Sequence, residues 1–415
     1  MTIKPPVRRF TAREVLKYVG PGLLVTIGFI DPGNWAANIA AGSIYGYKLL
    51  WVLTLATFFL VVLQHNAAHL GIATGLCLSE AVTAYFPRTG GRVILGTAVA
   101  AAVCTALAEI LGAGIALQML FQIPLKIGAC LAAAFVLVML ATNSYRYLER
   151  WLVGFVSLIG LGFLYELFLP RVPWGQAAPG WIIPAFPAGA MPIIMSILGA
   201  VVMPHNLFLH SEIIQSREWN RADEKTIRHQ LKFEMFDTLF SMGIGWVINS
   251  AMVIVAAATF FSRKIAVSDL AQAQAMLEPL LGRSAQLVFA LALLFAGLAS
   301  AVTAGMSGGT IVSGIFGRPY DLKENVSRAG VAVTILGGLA FIFVLADAFK
   351  GLLLSQMLLS IQLPITIFSM IVLTSSKKVM GPFANSKCDR IVLGLVGTVV
   401  VGLNVALILS LLGIL

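Results

Sequence analysis

Eleven apolar stretches of membrane-spanning length follow one another through this 415-residue chain, joined only by short polar connections. A transmembrane helix needs about 20 consecutive apolar residues, so the stretches consume almost the whole sequence. They fall at about 18–42, 46–72, 93–119, 126–142, 150–169, 190–215, 233–260, 284–315, 327–346, 350–374 and 391–413. Charged residues make up 11% and hydrophobic ones 59%, where a soluble domain carries about 25% and 45–50%. No soluble, disordered, collagenous or disulfide-scaffold chain has this balance. The expected fold class is an all-α polytopic membrane protein.

The net charge of +10 does not point to nucleic acid, because the basic residues sit in the connections between apolar runs. With the N-terminus placed inside, 21 of the 28 Lys and Arg fall on the inner side, the asymmetry that sets orientation. The expectation is a cytoplasmic N-terminus, an outside C-terminus and a bacterial inner or plasma membrane. Cys77, Cys104, Cys130 and Cys388 form no CxxC pair, which argues against a disulfide framework or zinc knuckle. The basic N-terminus precedes a broken apolar run without a small-residue cleavage site, which reads as a first helix rather than a signal peptide.

Two spans carry a defect in the middle. Asp31-Pro32-Gly33-Asn34 interrupts the first and Met203-Pro204-His205-Asn206 the sixth. Proline removes a backbone donor and clashes with the preceding turn. Unwound backbone is tolerated at membrane depth only where it lines a cavity. The shared x-Pro-x-Asn pattern recurs five spans apart. An odd spacing gives the two halves opposite topology, the signature of an inverted-repeat transporter whose site lies at the breaks. Proline is also common in membrane helices without any such role.

Asp31 is an acid deep in an apolar helix, functional by default unless it only caps the second half-helix. A bound cation would compensate it. Asn34, one turn on, offers a hard amide oxygen, and unwound carbonyls such as that of Ala200 add more oxygens. Met203 is filler in most helices; at a break facing a carboxylate, its soft thioether favours transition metals over Mg²⁺ and Ca²⁺. Mn²⁺, Fe²⁺, Co²⁺ or Cd²⁺ would suit such a mixed site. Gln356, inside the tenth span, reads as a late-joining ligand or as interhelical glue.

His205 and His210 lie five residues apart, roughly 140° around a helix, and so do not form one two-histidine site. His205 reads as a proton relay or as a histidine satisfied by backbone. Glu109, within the third span, needs a partner or a proton; Arg328 is either that partner or a cytoplasmic anchor. Asp31 is the acid most clearly committed to mid-membrane work, with Glu109 a second. His65 and His69 share a face at i, i+4, as in the zinc-protease motif, but Asn66 stands where the catalytic glutamate belongs. A lining role for His65, Asn66, His69 and His210 is preferred to an intramembrane metalloenzyme.

At these residues a resemblance becomes specific. The two break motifs, the second running Met203-Pro204-His205-Asn206-Leu207-Phe208-Leu209-His210-Ser211, resemble the signatures of the Nramp family of divalent-metal transporters. Leu107-Ala108-Glu109-Ile110-Leu111-Gly112-Ala113 is similar to its third helix, the run 355–364 to its tenth, and Met380-Gly381 to the loop after it. The resemblance covers nearly the full chain. It implies a LeuT-type fold: one transport domain over 1–415, with inverted five-helix repeats at about 18–170 and 190–374 and an extra helix at about 391–413. It implies a transporter rather than an enzyme, with Mn²⁺ or another divalent metal as substrate, no cofactor, and protons as a further partner. Metal ligation is carried over to Asp31, Asn34, the Ala200 carbonyl, Met203 and Gln356, and the proton path to Glu109, His205 and Arg328.

The departures fall on the proton path. The family pattern Thr-Asp-Leu-Ala-Glu reads here Thr105-Ala106-Leu107-Ala108-Glu109, a second acid of that helix falls at about Val99, and the paired basic residues opening the ninth helix are Ser327-Arg328. Losing those acids is expected to leave an apolar corridor. The function expected is import of divalent transition metal, Mn²⁺ foremost and also Fe²⁺, Cd²⁺ or Co²⁺, by alternating access. Proton coupling is weak, absent or rerouted through Glu109 and His205. A Mg²⁺ transporter of the same fold is the rival, with an amino-acid transporter a weaker one.

Overall fold

The computed structural model describes residues 31–142, 172–216, 218, 223–276 and 282–414. Residues 18–30 of the first expected span and all of the fifth, 150–169, lie outside the described residues. So do the basic residues up to Lys17, with Arg146, Arg150, Arg217 and Arg221.

The helices are α1 (Pro32–Tyr45), α2 (Leu50–Thr74), α3 (Leu78–Tyr85), α4 (Arg88–Phe121), α5 (Leu125–Ala141), α6 (Trp174–Gly180), α7 (Met191–Val202), α8 (Pro204–Gln215), α9 (Glu224–Thr259), α10 (Ala285–Ile315), α11 (Asn325–Val344), α12 (Ala348–Ser375), α13 (Lys377–Met380) and α14 (Lys387–Leu411). Among the described residues there is no strand, and eight helices are long and apolar enough to cross a membrane, with α7 and α8 counted as one. The 17-residue α5 is a shorter apolar helix.

Two expected boundaries need correction. α4 begins at Arg88, not 93, and α9 at Glu224, not 233. Hydropathy marks only the lipid-facing part of a helix, whereas the backbone ladder runs on while its polar side chains reach water. The short α3 and α6 were not expected at all.

Small residues bring the helix backbones together, as packing without a hydrophobic drive between helices requires. Gly297 on α10 lies against the Glu109 carbonyl and the Ala113 amide of α4, with no room for a Cβ. Gly330 on α11 meets Gly308 and Gly309 on α10 in the same way. α4, α10, α11 and α12 form one side of the bundle, while α1 packs on α9 and α7 packs on α12. α14 rests on α12 and turns Ile391, Leu395, Ile408 and Leu411 outward, as a lipid-facing helix does. All four cysteines are free.

Candidate metal centre

Pro204 shapes the second break. A helix would have the amide of residue 204 donate to the carbonyl of Ala200, four residues earlier. Proline has no such amide. α7 therefore stops at Val202, Met203 takes a left-handed conformation (φ 43°), and α8 starts at Pro204. The Ala200 carbonyl is released for another partner.

That partner comes from the first break. Asp31 is fully buried, extended, and caps α1 by accepting the Asn34 amide at Oδ1, 2.6 Å. Asn34 Nδ2 donates both to Asp31 Oδ2 and to the Ala200 carbonyl, 3.0 Å each. One NH₂ group thus stands between a carboxylate and a free carbonyl, the position a shared cation would take. Asn34 Oδ1 has no partner. Turning the amide over would present that oxygen to the same point. The capping reading and the ligand reading of Asp31 are therefore compatible.

Met203 is buried at the break, and its Sδ accepts from Asn206 Nδ2 at 3.1 Å. Gln356 reaches the break regions through α12: its side chain lies over Gly33, and its carbonyl lies against Gly199, where neither glycine has room for a Cβ. Both amide atoms of Gln356 are buried without a partner. Carboxylate, amide oxygens, carbonyl and thioether are the donors that an intermediate divalent cation accepts.

Glu109 is buried, and neither carboxylate oxygen has a hydrogen-bond partner. It sits one turn from Gly112, on which the Pro32 ring packs, so it borders the first break. Arg328 is not brought to it: Arg328 is exposed and its Nε donates to the Leu322 carbonyl at 2.7 Å. His205 Nδ1 lies 3.2 Å from Thr105 Oγ1 on α4. Gly338 of α11 lies directly against Ala106 and the Leu107 amide, because two small residues let the backbones meet. Ser327, near the start of α11, bonds Ser313 of α10 at 2.8 Å.

The histidines separate into two groups. His210 Nε2 lies 3.4 Å from Glu234 Oε1 on α9, and His65 Nδ1 meets Glu234 Oε2. His65 and His69 stack with ring centroids 6.3 Å apart. Asn66 bonds Asn385 and Thr374 instead. The carboxylate that the His65/His69 pair lacks in sequence comes from another helix. Sequence reasoning missed Glu234, although an acid inside the expected 233–260 span was signal enough. Asp31 and Glu109 are accordingly not alone, since Glu234 and Asp237 are also buried in a spanning helix.

α1, opening at Pro32 on its Asp31 cap, and the interrupted α7–α8 pair meet through buried polar groups within a bundle of spanning helices, the arrangement of a transporter of the LeuT-type class. The structure of Mhp1, a nucleobase-cation-symport-1 family transporter, shares this fold at a TM-score of 0.63 and 17% identity, covering 95% of this chain and 92% of that one. The chain belongs to the Nramp family, natural resistance-associated macrophage protein-like, whose family model matches residues 22–410. It is 38% identical over 94% of its length to the divalent metal cation transporter MntH of Caldanaerobacter subterraneus subsp. tengcongensis, covering 92% of that protein. The MntH of a Nostoc species is also 38% identical, over 99% of this chain and 94% of that protein. A crystal structure of the Eremococcus coleocola manganese transporter aligns at a TM-score of 0.78 and 27% identity, covering 100% of this chain and 89% of that one.

Proposed function

We propose that this protein imports divalent transition-metal ions, Mn²⁺ foremost and also Fe²⁺, Cd²⁺ and Co²⁺, by alternating access around the two broken helices. It is an integral membrane transporter, not an enzyme, and the metal is its substrate rather than a cofactor. The observation that carries the reading is the Asn34 amide held between the Asp31 carboxylate and the Ala200 carbonyl. It ties the two breaks together at one point, beside Met203, with oxygen acceptors left over for a cation. The ligands are Asp31, Asn34, the Ala200 carbonyl and Met203, with Gln356 joining as the helices move. The unpartnered atoms of Gln356 support that last role.

Proton coupling is weak, absent or rerouted through Glu109 and His205. The closed packing at Ala106 and the outward-facing Arg328 support a departure from an acid-lined path. The N-terminus is cytoplasmic and the C-terminus outside, in a bacterial inner or plasma membrane. The transport domain is built of repeats at about 18–170 and 190–374 with a further helix at about 391–413.

Calorimetric titration of Mn²⁺, Cd²⁺ and Mg²⁺ onto purified protein tests the metal reading. Saturable Mn²⁺ and Cd²⁺ binding that Mg²⁺ does not displace at similar concentration is expected, because a thioether gains nothing from a hydrated hard ion. Equal competition by Mg²⁺ would establish the hard-cation transporter instead.

A further inference from the structure

Away from the breaks, one buried acid has a coordination shell of its own. Glu234, 2% exposed in its side chain, receives His65 on Oε2. Oε1 receives His210 Nε2 at 3.4 Å and accepts from the Thr238 hydroxyl at 2.6 Å. The three titratable groups come from α2, α8 and α9. His65 alone of the three lines a cavity of about 190 Å³, together with His69, Asn66, Leu231, Asn385 and Asp389. Other titratable groups on the packed elements include His69 on α2, His205 and Glu212 on α8, His229, Lys232 and Asp237 on α9, and Asp389 on α14. Asp389 acts electrostatically on His69, and Glu212 is engaged with Cys77.

A metal ion does not fit this geometry. The two imidazoles meet opposite oxygens of one carboxylate, and among the described residues no group of three or more His, Cys, Asp or Glu is placed to hold a metal. Charge accounting points elsewhere. With both imidazoles neutral and donating, the centre carries one net negative charge inside a spanning helix, a costly state. One more positive charge cancels it. His65 can carry that charge as a second ring proton on Nε2 while Nδ1 stays on Glu234. Release of that proton to cavity water leaves the Nδ1–H tautomer still donating to the carboxylate, so no bond of the centre is broken.

We propose that His65, Glu234 and His210 form a proton-exchange centre that gives up its proton to the cavity when the divalent metal binds at the breaks. The link is α8, which begins at Pro204 beside Met203 and carries His210 at its seventh residue. Metal held at Met203 fixes α8, and His210 then donates firmly to Glu234. A carboxylate with that donor needs the His65 proton less. When α8 moves away, the 3.4 Å contact is the longest in the centre and the first to open, and the proton returns. The inference deepens the proposed transport reading and rests on it. It gives the rerouted coupling a location that uses neither Ala106 nor Val99.

Calorimetric titration of Mn²⁺ in two buffers of different ionisation enthalpy counts the protons released per metal bound. The wild type is expected to release protons to the buffer as it binds Mn²⁺. H65Q and E234Q are expected to bind Mn²⁺ within about threefold of wild type while losing most of that release. H65Q leaves Glu234 bonded to His210 and Thr238, so it carries the test if E234Q does not fold. Proton release equal to wild type in the variants, or none in the wild type, overturns the exchange centre with metal binding intact. Failure of the wild type to bind Mn²⁺ instead overturns the transport reading, and the exchange with it.

Discussion

Two buried acidic regions are built on opposite terms. Around the breaks, polar atoms outnumber their partners: Asn34 Oδ1, both amide atoms of Gln356 and both oxygens of Glu109 are unbonded. Around Glu234, each carboxylate oxygen is occupied by a histidine, with Thr238 added. A buried polar group without a partner costs roughly 1–3 kcal/mol, so an unsatisfied cluster persists where a visiting ligand repays it. A bonded one keeps its side chains in place whether or not a ligand is present. The breaks have the character of a site for something that comes and goes, and the Glu234 centre that of a resident network.

That contrast can be broken most directly at Asp31. Asp31→Asn removes the carboxylate that bonds Asn34 at the first break, and Mn²⁺ affinity is expected to fall about 30-fold or more, some 2–5 kcal/mol, read by calorimetry. Retained affinity would move the metal site elsewhere. Gly199→Ala forces a methyl against the Gln356 carbonyl, a backbone atom that cannot turn aside. A loss of about 1–3 kcal/mol in stability is expected, visible as a lower melting temperature. Gly33→Ala should cost less, because it meets only the flexible end of Gln356.

Met203→Ala sharpens the comparison by its selectivity. Cd²⁺ affinity is expected to drop about tenfold, near 1.4 kcal/mol, with Mg²⁺ binding nearly unchanged. A uniform loss for both ions would mean that the thioether only packs. The smallest effect is expected at Glu109. Glu109→Gln keeps the shape of a carboxyl that bonds nothing, so thermal stability should change by less than about 1 kcal/mol. Uptake of Mn²⁺ into proteoliposomes with internal pH recorded then tests its coupling role: any acidification that Glu109 carries is lost in the variant.

Much of the first region was legible in the chain. Pro204 frees the Ala200 carbonyl by its own chemistry, and an acid followed by proline at membrane depth announces Asp31. The Glu234 centre was not legible, because Glu234 lies 169 residues from His65 and 24 from His210, and the three join only when α2, α8 and α9 pack. His65 and His69 suggested a motif by spacing, yet the carboxylate came from α9 and the pair divided, His65 to Glu234 and His69 to Asn385. Arg328 stood open between a partner for Glu109 and an anchor for a related reason. Its position opening a helix is a local fact, but whether it faces Glu109 or water depends on how α11 is rotated against α4, and Gly338 on Ala106 fixes that rotation.

The sequence by itself determined the membrane solvent, the number and spacing of expected spans and the two points where a helix must stop. These follow from hydropathy and from proline's missing amide, which act within a few residues. Only the tertiary structure decided that Asn34 bridges Asp31 to Ala200, that Gln356 lies over Gly33, that Ala106 is sealed by α11 and that Glu234 takes two histidines. Those outcomes depend on the rotation and depth of whole helices, set by small residues such as Gly199, Gly297 and Gly338 meeting backbone across the bundle, and no local pattern encodes the partner each one finds.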